Sequence, residues 1–125
     1  MLTTKSRRKA KASLKAHPTK PLLDRIIHFL EDDKALDLSV IDLEGKSTLA
    51  DFMVVVSGSS QRHVGAMADH LVEKLKAEGF GRERPEGLPD ANWVVIDAHD
   101  VIVHLFRPEV RHFYNLEKMW AANLP

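Results

Sequence analysis

The strongest candidate for chemistry in this sequence is the segment Ser57-Gly58-Ser59-Ser60, which lies between an apolar run and an amphipathic run. A loop between a strand and a helix can hold a phosphate, because the first helical amides and the helix dipole favour an anion. The segment lacks the Lys-Ser/Thr pair of a Walker loop and the spaced glycines of a dinucleotide-binding fingerprint. A helix cap with a tight turn is therefore the favoured interpretation, and a nucleotide-binding loop is the alternative.

A strand, a Gly-Ser pair and a helix also begin the signature of nucleotidyltransferases. Those enzymes need two closely spaced carboxylates to hold magnesium. The next paired acids on predicted strands, Asp97 and Asp100, lie about 40 residues further on and are separated by a turn, so they do not share one strand face. A fold of that type would therefore lack its metal-binding pair.

Seven histidines raise the question of a metal site. His63 and His70 are seven positions apart on a predicted helix, which separates them by about 10 Å, too far to share one ion. No two histidines have the i, i+4 spacing of a helical zinc site. The chain has no cysteine, and no Gly-x-Ser-x-Gly elbow supports a serine nucleophile. We expect no catalytic residue, no metal and no cofactor.

Aromatic, arginine and carboxylate side chains gather in the last third of the chain. Trp, Tyr and Arg are frequent anchors of protein interfaces. Core packing explains any single one of these residues, but the group is larger than one small core needs. The sequence therefore predicts a partner-binding surface formed by some of Trp93, His104, Phe106, Arg111, Tyr114, Leu116, Glu117 and Trp120.

The elements that position these residues follow from hydrophobic periodicity. Apolar residues at helical spacing predict a helix from Pro21 to near Asp33 or Lys34. They predict another over about 60–78, with Ser59 or Ser60 as its cap and Gly79 after its end. Strand patterns predict strands at Leu36–Val40, Phe52–Val56, Trp93–Asp97 and Val101–Phe106, and a loop or short edge strand near Arg82–Arg84.

The continuous apolar run Phe52–Val56 predicts the centre of the sheet. The last two strands should form a hairpin across Ala98–Asp100. A final helical region begins at Pro108, and Asn115 is a position where it could divide. The order α-β-β-α-(β)-β-β-α predicts a single α/β domain with a mixed sheet of about five strands flanked by helices.

Length and charge limit the class of protein. The 125 residues suit one domain, and no apolar run approaches the roughly 18 residues of a membrane span. We therefore expect a soluble protein without membrane contact. Its basic amino terminus has no apolar stretch after it, so we do not expect export.

The net charge of zero hides an uneven distribution. Residues 1–20, here called the basic tail, contain seven Lys and Arg and no acidic residue, whereas residues 21–125 carry a net charge of −7. A segment so rich in like charge and so poor in apolar residues is predicted to be disordered when free. It is either an arm that binds RNA or other phosphate groups, or an extension without a partner. We predict a tail over 1–20 and a folded domain over 21–125.

Three stretches resemble one family. They cover 45–79, then EGLPDANWVVIDAHDVIVHLF over 86–106, then RHFYNLEKMW over 111–120. These motifs, in this order, resemble the Iojap or ribosomal silencing factor S (RsfS) family, and the likeness extends from about Leu22 to Ala121. It implies an α/β fold related to nucleotidyltransferases but without their activity, in agreement with the missing carboxylates.

The resemblance also implies a function. The protein would bind the large ribosomal subunit through ribosomal protein uL-fourteen and block subunit joining by steric exclusion, which represses translation in the cytoplasm. Organellar relatives act in large-subunit assembly, which gives an alternative role. Free family members tend to form dimers, so we expect a homodimer. A nucleotide-binding enzyme that uses the Ser57–Ser60 loop is a further alternative.

Motif positions divide into two groups in our interpretation. Asp51, Ser57, Gly58 and Ser59 are expected to be architectural. The residues predicted to bind the partner are Trp93, Asp97, His104, Tyr114, Leu116, Glu117 and Trp120. One departure concerns the hairpin, where His99 occupies a position that is usually Gly in the family, and histidine tolerates a positive φ less readily.

Overall fold

The computed structural model describes residues 18–46, 48, 50–80, 85–87 and 90–114. Its elements follow the predicted order. They are helix α1 (Lys20–Asp32), strands β1 (Leu36–Asp42) and β2 (Phe52–Ser57), helix α2 (Gln61–Ala77), strands β3 (Pro85–Glu86), β4 (Trp93–Ala98) and β5 (Val101–Phe106), and helix α3 (Pro108–Tyr114).

The five strands form one mixed sheet in the order β1-β2-β5-β4-β3. Strands β2 and β5 are parallel, and the other neighbours are antiparallel. The prediction of a single α/β domain with a five-stranded mixed sheet is confirmed. The prediction that Phe52–Val56 is the sheet centre is wrong in detail, because β5 is the middle strand and β2 lies beside it. All six residues of β2 are nevertheless buried.

One face of the sheet packs against α1 and α2. The alternating residues of the three central strands point into this core, which includes Val54, Val103 and Ile96, all fully buried. Leu23 and Ile26 of α1 and residues of α2 cover them. The amphipathic periodicity of both helices therefore predicted the covered face, because each helix buries one apolar stripe.

The helix ends have local causes. Pro21 lies in the first turn of α1, where a missing amide hydrogen costs nothing. Ser60 caps α2, since its Oγ accepts a hydrogen bond of 3.1 Å from the His63 amide. Gly79 follows α2 with a φ of +80°, which glycine adopts without steric cost. The predicted cap and terminator are both confirmed.

The hairpin is tighter than predicted. Strand β4 extends through Ala98, which leaves His99 and Asp100 as a two-residue turn instead of the predicted three. His99 has a φ of +65°, and its amide donates to Asp97 Oδ1 over 3.1 Å. This local hydrogen bond helps a non-glycine residue to hold a left-handed conformation.

The remaining predictions can be compared with the structure only in part, because some of their residues lie outside the described ranges. A short edge strand does form, but at Pro85–Glu86, paired with β4, and the predicted position Arg82–Arg84 lies outside the described residues. Helix α3 begins at Pro108 as predicted. The predicted division at Asn115 lies outside the described residues.

Candidate functional site

The second face of the sheet carries aromatic residues. Alternation in β2, β4 and β5 places on it Met53, Val55, Trp93, Ile102, His104 and Phe106, a set that we call the aromatic face. Within the described part of the chain, α3 is the helix on this side, and its Val110 packs against the cluster. Trp93 and Ile102 are half-buried there, whereas the other sheet face is sealed by two longer helices.

Three rings lie together at one end of the aromatic face. Trp93 and Phe106 are direct cross-strand neighbours, and their rings stack with centroids 4.9 Å apart. The His104 ring stacks on Phe106 at 6.0 Å. Trp93 Nε1–H donates to His104 Nδ1 over 2.9 Å. The indole of Trp93 is therefore fixed by stacking on one neighbour and by a hydrogen bond to another.

His104 accepts this hydrogen bond only as a neutral imidazole. Burial lowers the pKa of His104 from 6.5 to about 4, because the charged ring would lose its hydration. The proton of the neutral ring then lies on Nε2, since Nδ1 is the acceptor. With 8 % of its surface exposed, His104 presents little area to a partner and acts on the surface mainly through Trp93.

Asp97 lies on the same sheet face as Trp93 but four residues along β4, a separation of about 13 Å. It is exposed, and its Oδ1 accepts a hydrogen bond from the His99 amide. The structure therefore gives Asp97 a role in the hairpin turn, at the opposite end of β4 from the three rings.

The other predicted binding residues follow α3. Tyr114 is the last described residue of α3, and its side chain is outside the described part of the structure. Leu116, Glu117 and Trp120 lie outside the described residues. The structure thus brings Trp93 and His104 into contact, places Asp97 at the far end of the same strand, and describes no contact of the other four.

Two residues at the edge of the aromatic face are not among the seven residues predicted to bind the partner, although Arg111 belongs to the wider group of interface candidates. Ser57, at the end of β2, is 2 % exposed, and Arg111 of α3 donates from Nη1 to Ser57 Oγ over 3.0 Å. Arg111 Nη2 also reaches Ser39 Oγ of β1 at 3.4 Å. The signal in the sequence was a serine that ends a buried strand, and the expectation of an architectural Ser57 agrees with this contact.

The Ser57–Ser60 loop is engaged by the protein itself. The Gly58 amide donates to the Phe106 carbonyl over 2.9 Å, and the Ser59 amide donates to His63 Nδ1 over 2.8 Å. A Cβ at Gly58 would lie 2.7 Å from Val64 Cγ2, so the loop packs closely on α2. Amides that a phosphate would need are therefore already used, which favours the interpretation as a cap.

A shallow groove beside the start of α2 offers no better phosphate site. Its charged lining consists of one cation, Arg62, and two carboxylates, Asp69 and Asp90. The excess of negative charge opposes a polyphosphate. Gln61 spans the edge of the groove by donating to the Asp90 carbonyl over 2.8 Å.

The histidines of α2 bind the end of α1. His63 Nε2 lies 2.7 Å from the Asp33 carbonyl, and His70 Nδ1 lies 2.9 Å from Asp33 Oδ2. Among the described residues, no group of three His, Asp or Glu side chains is arranged to hold a metal ion. These histidines connect two helices.

Comparison with known proteins identifies relatives along nearly the whole chain. A sequence model described as "Ribosomal silencing factor during starvation" (RsfS) matches residues 15–125. The ribosomal silencing factor RsfS of Zymomonas mobilis subsp. mobilis is 54 % identical over 100 residues, which are 80 % of this chain and 75 % of that protein. A mouse protein named "Mitochondrial assembly of ribosomal large subunit protein 1" is 33 % identical over 102 residues, 79 % of this chain and 45 % of its own.

A solved structure agrees with this match. The crystal structure of a Chromobacterium violaceum protein superimposes with a TM-score of 0.80 and 34 % identity, covering 87 % of this chain and 91 % of that one. Within the described residues, no helix is long and apolar enough to cross a membrane.

Fold and site together define a small α/β protein that presents ordered aromatic groups on a partly covered sheet face, as a binding protein does. The chain belongs to the ribosomal silencing factor (RsfS) family, as its motifs predicted. This family comprises regulators and not enzymes, and the prediction of a non-enzymatic protein is confirmed by that membership.

Proposed function

We propose that this protein binds the large ribosomal subunit at ribosomal protein uL-fourteen and blocks joining of the small subunit by occupying the space between them. Membership in a family of ribosomal silencing factors supports a function on the ribosome. The observation that carries the proposal is Trp93, a half-buried indole fixed by His104 and Phe106 on the partly covered sheet face. A pre-ordered aromatic group loses little entropy on binding and is a frequent interface anchor.

The docking surface in this proposal consists of Trp93, Asp97, His104, Tyr114, Leu116, Glu117 and Trp120. The aromatic residues would fill an apolar centre, and the carboxylates would meet basic groups of the ribosome. The domain's net charge of −7 over residues 21–125 would also steer it to a basic protein surface. Under this proposal the protein acts in the cytoplasm, where its ribosomes are found.

The test measures binding and joining separately. Purified protein is centrifuged with large subunits through a sucrose gradient, and light scattering follows association of the two subunits. Wild-type protein should co-sediment with large subunits and lower the amount of joined ribosomes. Absence of both effects would overturn the proposal.

We expect Trp120→Ala and Glu117→Lys to weaken binding to large subunits by about tenfold or more while the fold survives, because interface anchors each contribute on the order of 1–2 kcal/mol. Glu73→Lys is the matched control, since it makes the same charge change at an exposed site on α2, which covers the sheet face opposite the aromatic face. Wild-type co-sedimentation of both first variants would contradict the assignment of these residues.

A role in large-subunit assembly is the alternative, supported by the name of the mouse relative. Both roles would use the same surface at different times. Depletion in cells separates them: accumulation of immature large subunits would favour assembly, whereas excess joined ribosomes in starved cells would favour silencing. A nucleotide-binding enzyme is the less favoured alternative, and titration calorimetry with nucleotides and magnesium should give no heat of binding.

We also propose that the free protein is a homodimer, because an apolar patch that is exposed when no ribosome is bound can pack against the same patch of a second copy. If the aromatic face serves both purposes, dimer formation and ribosome binding exclude each other. Light scattering should then detect dimers of the free protein and one copy on each large subunit. A variant that abolishes the dimer but leaves ribosome affinity unchanged would separate the two surfaces.

A further inference from the structure

Helix α3 needs a fixed orientation for the proposed docking surface to form. It has seven described residues, and a helix of that length is not stable without tertiary contacts. Its described part ends at Tyr114, and the other proposed binding residues near the carboxyl end follow within six further positions of the sequence. The contacts of α3 with the sheet therefore fix the helix from which this part of the chain continues.

Arg111 supplies such a contact across two strands. Its Nη1 donates to Ser57 Oγ of β2 over 3.0 Å, and its Nη2 reaches Ser39 Oγ of β1 at 3.4 Å. Strands β1 and β2 are adjacent, so the planar guanidinium spans neighbouring strands with two separate nitrogens. A forked donor restrains rotation of the helix more than a single hydrogen bond does.

Ser57 contacts Arg111 from a buried position that a binding partner does not reach. It is 2 % exposed and lies at the carboxyl end of β2, opposite Phe106 of the aromatic face. A ribosome cannot touch a side chain so buried. Any effect of Ser57 on ribosome binding must therefore pass through the group to which it is bonded.

We propose that Arg111 is a positioning residue that fixes α3 against β1 and β2 through Ser57 and Ser39, and that this attachment is required for the proposed binding to the large subunit. The inference rests on the proposed function. Its structural half, the attachment of α3, stands on the hydrogen bonds alone and can be measured without ribosomes.

The first measurement is hydrogen–deuterium exchange of the free full-length protein. The amides of Val110 and Arg111 both donate to the Arg107 carbonyl at 3.0 Å, so they report the opening of α3. Arg111→Ala and Ser57→Ala should each speed exchange of the Val110 amide by about tenfold, the effect of removing a hydrogen bond to a charged group. Unchanged exchange in both variants would overturn the attachment.

The second measurement is affinity for purified large subunits. Arg111→Ala should raise the Kd for large subunits about tenfold. Ser57→Ala should also raise this Kd, although the Ser57 side chain is buried. The double variant should bind no more weakly than Arg111→Ala alone, because Arg111→Ala already removes the hydrogen bond that Ser57→Ala removes. Arg111→Lys should restore part of the affinity, since it keeps the charge but not the fork.

Arg62→Ala is the matched control, because it removes the same charge from an exposed site on α2. Weak binding by Arg111→Ala with wild-type binding by Ser57→Ala would mean that Arg111 touches the ribosome, which overturns the positioning role. Failure of wild-type protein to bind would instead overturn the proposed function, whatever the exchange rates. If Arg111→Ala does not fold, Ser57→Ala and Ser39→Ala carry both measurements.

Discussion

Trp93 and His104 form a pair in which each side chain determines the state of the other. Trp93 faces Phe106 directly across the strands, and His104 faces Val95, so the indole reaches the imidazole diagonally. The indole can only donate, which requires an unprotonated Nδ1 on His104. Because burial lowers the pKa of His104 to about 4, that acceptor is present throughout the neutral range.

This pair predicts a defined dependence of stability on pH. The pKa of His104 is lowered from 6.5 to about 4 by folding, so the unfolded chain binds the proton more tightly. The contribution to stability is complete above pH 6.5 and is lost as the pH falls from 6.5 to 4. At about 1.4 kcal/mol per pKa unit, His104 should account for about 3 kcal/mol of that loss.

Urea unfolding at pH 7 and pH 4 measures this contribution. His104→Gln keeps an acceptor for the indole but does not titrate, so its free energy of unfolding should fall less than that of the wild type over this range. His28→Gln is the control, because it removes an exposed histidine of α1 whose contact with Asp32 is screened by solvent and contributes little to stability. Equal losses for His104→Gln and wild type would contradict the assignment.

The sequence predicted a partner-binding surface that includes Trp93, Asp97 and His104, but not how these residues bond. Alternation along β4 and β5 puts Trp93, Asp97 and His104 on one side, and this needs only a period of two. That Trp93 donates to His104, and that Asp97 closes a turn onto His99, depends on strand register and a local φ. Neither is encoded in side-chain spacing.

At the scale of elements, the short strand β3 approaches β4 at Gly87. Gly87 has a φ of +105°, and a Cβ there would lie 2.2 Å from the carbonyl oxygen of Trp93. The obstacle is backbone, which cannot move aside as a flexible side chain does. The Gly of the Glu-Gly-Leu-Pro motif therefore allows the edge of the sheet to close beside the start of β4, where Trp93 lies.

Gly87→Ala should destabilise the protein by about 2–4 kcal/mol, the sum of a positive-φ penalty and an overpacking penalty. Chemical denaturation measures this. Gly79→Ala is the control, because its φ of +80° is similar but its Cβ would meet nothing within 4 Å, and it should cost only about 1 kcal/mol. Equal destabilisation by the two changes would show that the close approach to Trp93 contributes nothing.

Element boundaries were predictable where their causes are local. The apolar stripes of α1 and α2, the Ser60 cap and the glycine after α2 all lie within a few residues of what they determine. The strand order was not predictable, because β5 lies between β2 and β4 through a pairing of residues that are far apart in the sequence. The tight turn at His99 was also missed, because a histidine with positive φ is uncommon.

At the scale of the whole molecule, charge and aromatic residues are separated along the chain. The basic tail carries seven positive charges, and residues 21–125 carry a net charge of −7. The two parts have opposite charge and therefore attract different groups: the acidic domain attracts basic protein groups, whereas the basic tail attracts RNA phosphates. Under the proposed function, the domain would contact basic protein groups of the large subunit, and a tail that binds RNA would contact phosphates of the same subunit.

The tail's share of binding can be measured from salt dependence. Replacing Lys5, Arg7, Arg8, Lys9, Lys11 and Lys15 by Gln removes six charges and leaves Lys20, which pairs with Asp24 in α1. If the tail binds RNA phosphates, the plot of log Kd against log salt concentration should flatten by about 0.7–0.9 for each phosphate that the variant tail no longer neutralises. Affinity at low salt should fall most, and at high salt the variant should approach the wild type, because screening removes the same interactions. Parallel plots of equal affinity would instead show that the tail has no partner on the subunit and that the aromatic face binds alone.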